Sequence, residues 1–102
     1  SKEKIVFIAR LENGEKIFLE TGGLAHIVKR HAGDFQRSFN VSQNKISSFL
    51  HDVIEKGDLI TSYQYNDPAG RLGYRSVYFW KGKHTVIYGI SSNGYINTAF
   101  PD

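Results

Sequence analysis

The hydrophobic pattern of the chain changes period at Gly57, and this change limits the folds open to it. Before Gly57, apolar residues recur mainly at helical spacing. After it come four stretches rich in β-branched and aromatic residues, LITSYQY, YRSVYFW, HTVIYGIS and YINTAF. Turn-forming residues separate them, including Asp67-Pro68-Ala69-Gly70 and Lys81-Gly82-Lys83. The second half of the chain is therefore predicted to be an antiparallel meander.

The first half begins with a hairpin signal. Asn13-Gly14 divides the stretch KIVFIARLENGEKIFLE into two short apolar strands, and this dipeptide favours a tight turn. A break at Thr21-Gly22-Gly23 follows. Apolar spacing then predicts a first helix from about Leu24 to His31 or a little beyond, with His31 on its apolar stripe.

A second helix is predicted immediately before Gly57. Its apolar stripe consists of Ile46, Phe49, Leu50, Val53 and Ile54. Ser42 is the expected N-cap and Gly57 the expected C-terminal stop. With 102 residues and 40% hydrophobic content, residues 1–102 are predicted to be one domain. We expect an α+β fold in which N-terminal strands and two helices pack on a four-stranded antiparallel sheet.

The last hairpin suggests a small polar notch. A two-residue turn at Asn93-Gly94 would give the pairs Ser92–Tyr95, Ser91–Ile96, Ile90–Asn97 and Gly89–Thr98. The missing side chain of Gly89 would leave space for a phosphate beside the Thr98 hydroxyl. The face around this notch would carry Ile87, Ile96 and Phe100. The alternative is that Thr98 only favours the strand and that Gly89 is a bulge.

Charge gives a modest indication of a nucleic-acid partner. The formal net charge is +3, and the only acid from Ile60 to Pro101 is Asp67. The neighbouring cations fall in two groups, Lys29, Arg30 and Arg37 in one and Arg71, Arg75, Lys81 and Lys83 in the other. Two such patches could bind phosphates, although ordinary solvated side chains give the same pattern. There are no cysteines, so disulfides and thiolate metal sites are excluded. No apolar run reaches the length that a membrane-spanning helix needs.

The four histidines differ in position. His26 and His31 are five positions apart, which places them about 140° apart on a helix and argues against a shared metal. We predict no metal site and no cofactor. His51 and His84 are expected to be structural, with His84 on the face opposite Thr98. A histidine on an apolar stripe, as His31 is, more often packs than reacts. Together with cations and a hydroxyl, however, it suits metal-free RNA cleavage.

Two short segments resemble a known ribonuclease family. Arg30-His31-Ala32-Gly33-Asp34-Phe35 resembles a segment of the colicin D nuclease domain, which cleaves tRNA in the anticodon loop. Gly94-Tyr95-Ile96-Asn97-Thr98-Ala99-Phe100 is similar to its Gly-x-x-x-Ser-x-aromatic tail. The predicted order of elements over residues 24–101 is similar to that of the barnase, EndoU, colicin and RelE-like ribonuclease superfamily, which includes C-terminal toxin domains of contact-dependent inhibition systems.

The resemblance implies roles for individual residues. His31 would be the general acid or base, Arg30 the adjacent cation, and Thr98 the counterpart of the family serine that contacts the scissile phosphate. RNA-binding residues would be Lys29, His26, Arg75, Lys83 and Phe100. The chain departs from the family pattern at Val28, where the family has a second lysine, and at Gln36, where it has a glycine.

The function that the resemblance implies is that of a metal-independent tRNA endonuclease toxin that leaves a 2′,3′-cyclic phosphate. A cognate immunity protein would neutralise it by presenting acids to the basic cleft. The chain is expected to be a monomer or to form a 1:1 complex with that protein. The absence of methionine favours a domain cut from a longer secreted or cell-surface toxin that acts in the cytoplasm of a target bacterium. The alternatives are a ribosome-dependent mRNA interferase and a non-catalytic RNA-binding or interaction module.

Overall fold

The computed structural model describes residues 4–66, 68–89 and 94–102. Strands β1 (Ile5–Arg10) and β2 (Lys16–Glu20) form an antiparallel pair, and helices α1 (Thr21–Phe39) and α2 (Ile46–Lys56) follow. Strands β3 (Asp58–Asn66), β4 (Leu72–Trp80), β5 (Lys83–Tyr88) and β6 (Thr98–Pro101) form an antiparallel sheet in the order β3-β4-β5-β6. This confirms the predicted α+β fold with two helices and a four-stranded antiparallel sheet.

Helix α1 is longer at both ends than its apolar spacing predicted. Thr21-Gly22-Gly23 was expected to break the pattern, but these residues form the first turn of the helix, directly after β2. A Cβ on Gly23 would lie 3.0 Å from the carbonyl oxygen of Ile96. Glycine at this position therefore allows the 94–96 segment to approach the helix closely, and it does not end the helix. The helix ends at Asn40, which has a left-handed conformation and donates its N–H to the carbonyl of Gln36.

Helix α2 follows the predicted apolar stripe, and all five predicted residues are buried. Its end at Gly57 is confirmed, and the Gly57 N–H bonds to the carbonyl of Val53. The expected N-cap was wrong. Ser42 precedes a short 3-10 turn (Gln43–Lys45), and its hydroxyl bonds to the side chain of Asn44 and caps no backbone N–H.

The predicted register of the last two strands was also wrong. In the structure Thr98 pairs with Tyr88 and not with Gly89. The predicted partners Ile90, Ser91 and Ser92 and the turn residue Asn93 lie outside the described residues.

The cause of this shift is a competing backbone partner. The Phe18 N–H bonds to the Gly94 carbonyl at 2.9 Å, and the Ile96 N–H bonds to the Phe18 carbonyl at 3.1 Å. The segment around Tyr95 therefore runs parallel to β2 as an isolated bridge and does not extend β6. No space is left beside Gly89, because a Cβ there would overlap the Asn97 side chain.

Strand registers divide the four-stranded sheet into two faces. The helix-covered face carries buried residues that join the core of both helices, among them Tyr78, Ile87 and Ala99. We call the other side the open face. It carries Thr61, Tyr63, Tyr65, Arg75, Val77, Phe79, His84, Val86, Tyr88, Thr98 and Phe100. His84 therefore lies on the same face as Thr98, contrary to the prediction, while Ile87 lies on the opposite face.

Candidate functional site at the edge of the open face

Three side chains on one side of α1 form a linked set. The His31 Nδ1 atom lies 2.9 Å from Asp34 Oδ2, and Arg37 donates a hydrogen bond to Asp34 Oδ1. These residues follow one another at three-residue spacing, which puts them on one face of the helix. Asp34 thus holds both His31 and Arg37, and 24% of the His31 side chain remains exposed.

The bond to Asp34 fixes the role of each imidazole nitrogen. An ionised carboxylate only accepts hydrogen bonds, so Nδ1 carries the proton that is donated to Asp34. In the neutral ring Nε2 is then the unprotonated nitrogen, able to accept a proton. Nε2 makes no hydrogen bond to any described residue. The hydrogen bond from His31, with smaller help from the Arg37 charge, holds the pKa of Asp34 below its usual range, against a smaller desolvation effect. The carboxylate therefore stays ionised at neutral pH.

His31 also contacts the sheet. Helix α1 packs mainly against β6, the last strand of the sheet. The His31 ring lies 5.0 Å, centroid to centroid, from the ring of Phe100 at an interplanar angle of 31°. Phe100 in turn stacks on Tyr88 of β5 at 6.1 Å. This packing explains why His31 lies on the apolar stripe of α1. Its unbonded Nε2 atom is at the edge of the open face.

Arg75 extends this aromatic row across the sheet. It lies in the middle of β4, with its guanidinium carbon 5.6 Å from the ring centroid of Tyr88 and 5.9 Å from that of Tyr63. Tyr65 meets Tyr88 edge to face at 5.1 Å. The result is a planar cation among aromatic rings, a combination that suits both phosphates and unpaired bases. We call Arg75, Tyr63, Tyr65, Tyr88 and Phe100 the aromatic row.

Thr98 lies beside this row, but its hydroxyl is not available on the surface. The strand register places it opposite Tyr88 and two positions before Phe100. Its Oγ1 atom is buried and has no hydrogen-bond partner among the described residues. The predicted notch beside Gly89 does not exist. A phosphate can therefore reach the Thr98 hydroxyl only if its covering neighbours move.

The remaining predicted residues stand apart from this site. His26, Lys29 and Arg30 are exposed on α1, and none has a hydrogen bond or ion pair with another residue in the described ranges. Helical geometry turns Arg30 about 100° away from His31. Lys83 begins β5 opposite Trp80, about 16 Å along the strand from Tyr88. The structure therefore brings together His31, Phe100, Arg75 and Thr98, and the side chains of the other four form no hydrogen bond or ion pair with this set in the described ranges.

Sequence reasoning did not select Asp34, Arg37, Tyr63 or Tyr65 as site residues, and it considered Tyr88 only as one of several aromatic residues able to stack on bases. Spacing could have indicated the first two, because Asp34 and Arg37 follow His31 at i+3 and i+6. No such signal exists for Tyr88, since its position beside Phe100 depends on the β5–β6 register. Within the described ranges, no three His, Asp or Glu side chains are grouped so that they could hold a metal ion.

Comparisons with known proteins add no relative. A scan against protein-family models and searches of curated proteins and of solved structures find no match to this chain. In the part of the chain that the structure describes, no helix has the length and apolar character needed to cross a membrane.

Proposed function

We propose that this chain is a metal-independent endoribonuclease toxin that cleaves tRNA, in the anticodon loop, and leaves a 2′,3′-cyclic phosphate. The observation that carries the proposal is the His31–Asp34 pair at the edge of the aromatic row. It combines an oriented imidazole with a cation and with rings that stack on unpaired bases. The resemblance of the Arg30–Phe35 segment to colicin D nucleases supports the choice of tRNA.

In the proposed reaction, Nε2 of His31 removes the proton from a ribose 2′-hydroxyl. The 2′-oxygen attacks the adjacent phosphorus, the bond from phosphorus to the 5′-oxygen breaks, and the leaving oxygen takes a proton from solvent. Asp34 stabilises the imidazolium that forms, through the Nδ1 hydrogen bond. Arg75, which the Phe100 and Tyr88 rings separate from His31, binds a neighbouring phosphate of the same RNA strand. Asp34 is a positioning residue, because it acts through His31.

The same surface suits the proposed partner. An open face that carries Arg75 among aromatic rings suits an immunity protein with acidic side chains, which would form a 1:1 complex and block the RNA site. Such a partner fits a toxin domain that is delivered as part of a longer secreted or surface protein into the cytoplasm of a target bacterium. These features rest on the proposed family resemblance.

A second function is favoured by one observation, the burial of the Thr98 hydroxyl. A non-catalytic RNA-binding module would need the aromatic row and Arg75 but no accessible hydroxyl beside the scissile phosphate. In such a module His31 packs against Phe100 and has no catalytic role.

The deciding experiment is incubation of total bacterial tRNA with the purified chain in EDTA, followed by a denaturing gel. Wild type is expected to give discrete fragments with 2′,3′-cyclic phosphate ends. His31→Gln keeps a side chain that can bond to Asp34 but cannot exchange the proton, so cleavage should fall about 10²–10⁴-fold. His51→Gln on α2 is the matched control and should cleave like wild type.

Thr98→Ala tests whether the buried hydroxyl contributes to cleavage. Loss of cleavage with unchanged tRNA binding would mean that the hydroxyl becomes accessible in the complex and contacts the phosphate. Intact tRNA in every lane, with tRNA binding retained by both wild type and His31→Gln, would overturn the nuclease and support the binding module. A ribosome-dependent enzyme would cleave only when ribosomes and mRNA are added.

A further inference from the structure

A cavity of about 910 Å³ lies on the helix-covered side of the sheet, away from the open face. The loop of the β1–β2 hairpin, the C-terminal end of α2 and strands β3 and β4 line it, and it is open to solvent. Small-molecule sites in proteins have volumes of about 300–1,000 Å³. We call it the hairpin cavity. Its lining includes neither His31 nor a residue of the aromatic row. The proposed RNA site therefore does not explain this cavity.

Tyr78 is the most unusual group in this lining. Its side chain is 3% exposed and lines the cavity from β4. Its hydroxyl has no hydrogen-bond partner among the described residues, and it is not one of the buried unpartnered atoms, so it is accessible from the cavity. Burial, reinforced by the negative charge of Glu12, raises the pKa of Tyr78 to about 12. The phenol is therefore neutral at physiological pH, with a donor and an acceptor unused.

Three carboxylates line the cavity, and they differ in their partners. Glu15 accepts a hydrogen bond from the Asn13 side chain at 3.1 Å. Glu55 accepts one from the Arg10 backbone N–H at 2.7 Å. Glu12 has no hydrogen bond or ion pair with any described residue. The hairpin thus presents one free carboxylate to the same cavity that contains the free Tyr78 hydroxyl.

The other hydroxyl groups of the lining are already paired. The Ser62 and Ser76 hydroxyls bond to each other at 3.0 Å, and the Tyr74 hydroxyl accepts a hydrogen bond from Gln64 at 3.0 Å. The side chains of Arg10 and Lys16 have no ion pair among the described residues either, and they contribute two positive charges against the three carboxylates. The lining therefore has a negative formal charge, and Glu12 and the Tyr78 hydroxyl are unpaired hydrogen-bond acceptors in it.

The chemistry of these two groups selects the ligand class. A carboxylate only accepts, so its partner must be a donor, and a positively charged donor is favoured over a neutral one. An ammonium group has three N–H donors and can bond to Glu12 and to the Tyr78 oxygen at once. Leu11, Ile17 and Ile54 supply an apolar wall for a short carbon chain. We propose that the hairpin cavity binds a small alkylamine, with its ammonium group between Glu12 and Tyr78.

The test uses 1,5-diaminopentane as the probe and 1,5-pentanediol as its uncharged control, with calorimetry and backbone amide shifts as readouts. The diamine is expected to bind and to shift amides around the cavity, such as those of Leu11 and Gly57, while the diol does not. Glu12→Gln should weaken binding at least tenfold, and Tyr78→Phe, which keeps the ring and removes only the hydroxyl, should weaken it severalfold. Asp52→Asn removes one acid outside the cavity and should bind like wild type.

Several results would overturn the proposal. Equal binding of the diol would show that charge is not recognised, and equal weakening in Asp52→Asn would show attraction to acids in general. No heat and no amide shifts at millimolar diamine would also reject it. Melting curves test whether Tyr78→Phe is folded. Glu12 lies in an exposed turn, so the outcome does not depend on Tyr78→Phe alone. Cleavage of tRNA is measured separately, and Glu12→Gln should leave it unchanged.

Discussion

The two faces of the four-stranded sheet are made by alternate residues of the same strands, yet they differ in how they are stabilised. The helix-covered face places Ile87 and Ala99 in a core closed by both helices. On the open face Val86 is also fully buried, but it lies outside the core cluster that includes both helices, and it pairs with Phe100 of β6. One face thus belongs to the main core, and the other carries a cation among aromatic rings. The comparison indicates that stability depends mainly on the first face, while the second carries the proposed RNA site.

The largest expected effect is a loss of stability. Substitutions at the adjacent residues Ile87 and Val86 compare the two faces. Ile87→Ala should reduce the free energy of unfolding by about 2–5 kcal/mol, because the helices leave little room for the core to collapse. Val86→Ala should cost about 1.5 kcal/mol, the transfer of two methyl groups, because the open-face rings can move in. Denaturant unfolding measures both. An equal or larger loss for Val86→Ala would mean that the open face belongs to the same rigid core.

The next effect concerns the buried phenol of the helix-covered face. The pKa of Tyr78 is raised from its ordinary value near 10 to about 12, so the folded state holds this proton more tightly than the unfolded state. Stability from this group is complete below pH 10 and is lost as pH rises from 10 to 12, by about 2–3 kcal/mol. Chemical unfolding at several alkaline pH values should show that the free energy of unfolding falls more steeply with pH in wild type than in Tyr78→Phe. Parallel curves for the two proteins would contradict the raised pKa of Tyr78.

A smaller effect is expected from the cation of the open face. Arg75→Gln removes the charge between Tyr63 and Tyr88 and should weaken single-stranded RNA binding for all sequences alike. One lost phosphate contact should lower the slope of log affinity against log salt by about 0.7. Fluorescence anisotropy at several salt concentrations measures this slope. Arg71→Gln, in the connection before β4, provides the comparison. An equal change of the slope in Arg71→Gln would mean that Arg75 has no specific role.

The smallest effect is the acid sensitivity of the site on α1. The pKa of Asp34 is lowered, so its contribution is present above the ordinary carboxyl range and is lost as pH falls through the lower, folded-state pKa. Thermal unfolding of wild type and Asp34→Asn should therefore differ at pH 6 and converge at strongly acidic pH. A difference that persists at low pH would mean that Asp34 stabilises the helix without its charge. In cleavage assays Asp34→Asn should lower kcat more than KM, since Asp34 acts through His31.

Several features of the fold were predictable because they depend on local pattern. The five apolar residues of the second helix, its end at Gly57 and the four strands that follow all come from spacing and turn chemistry. The position of His31 on the inner side of α1 follows from the same periodicity. Its bond to Asp34 is also local, since i and i+3 side chains meet on any helix.

Other features depend on residues that are distant in sequence, and local pattern could not supply them. The Asn93-Gly94 dipeptide favours a tight turn, yet Gly94 and Ile96 bond to Phe18 of β2, and this long-range pairing moves Thr98 opposite Tyr88. A shift of one residue exchanges the two faces of a strand, so it also decided that His84 joins the open face.

By itself, then, the sequence determined the order of helices and strands and which face of α1 carries His31, because these follow from periods of 3.6 and 2 residues, but it did not determine where α1 and β6 begin. Only the tertiary structure decided the register of β5 and β6, the burial of the Thr98 hydroxyl and the placement of Arg75 among its tyrosines. The physical reason is that strand registers and side-chain burial are settled by competition among distant partners, which no local preference records.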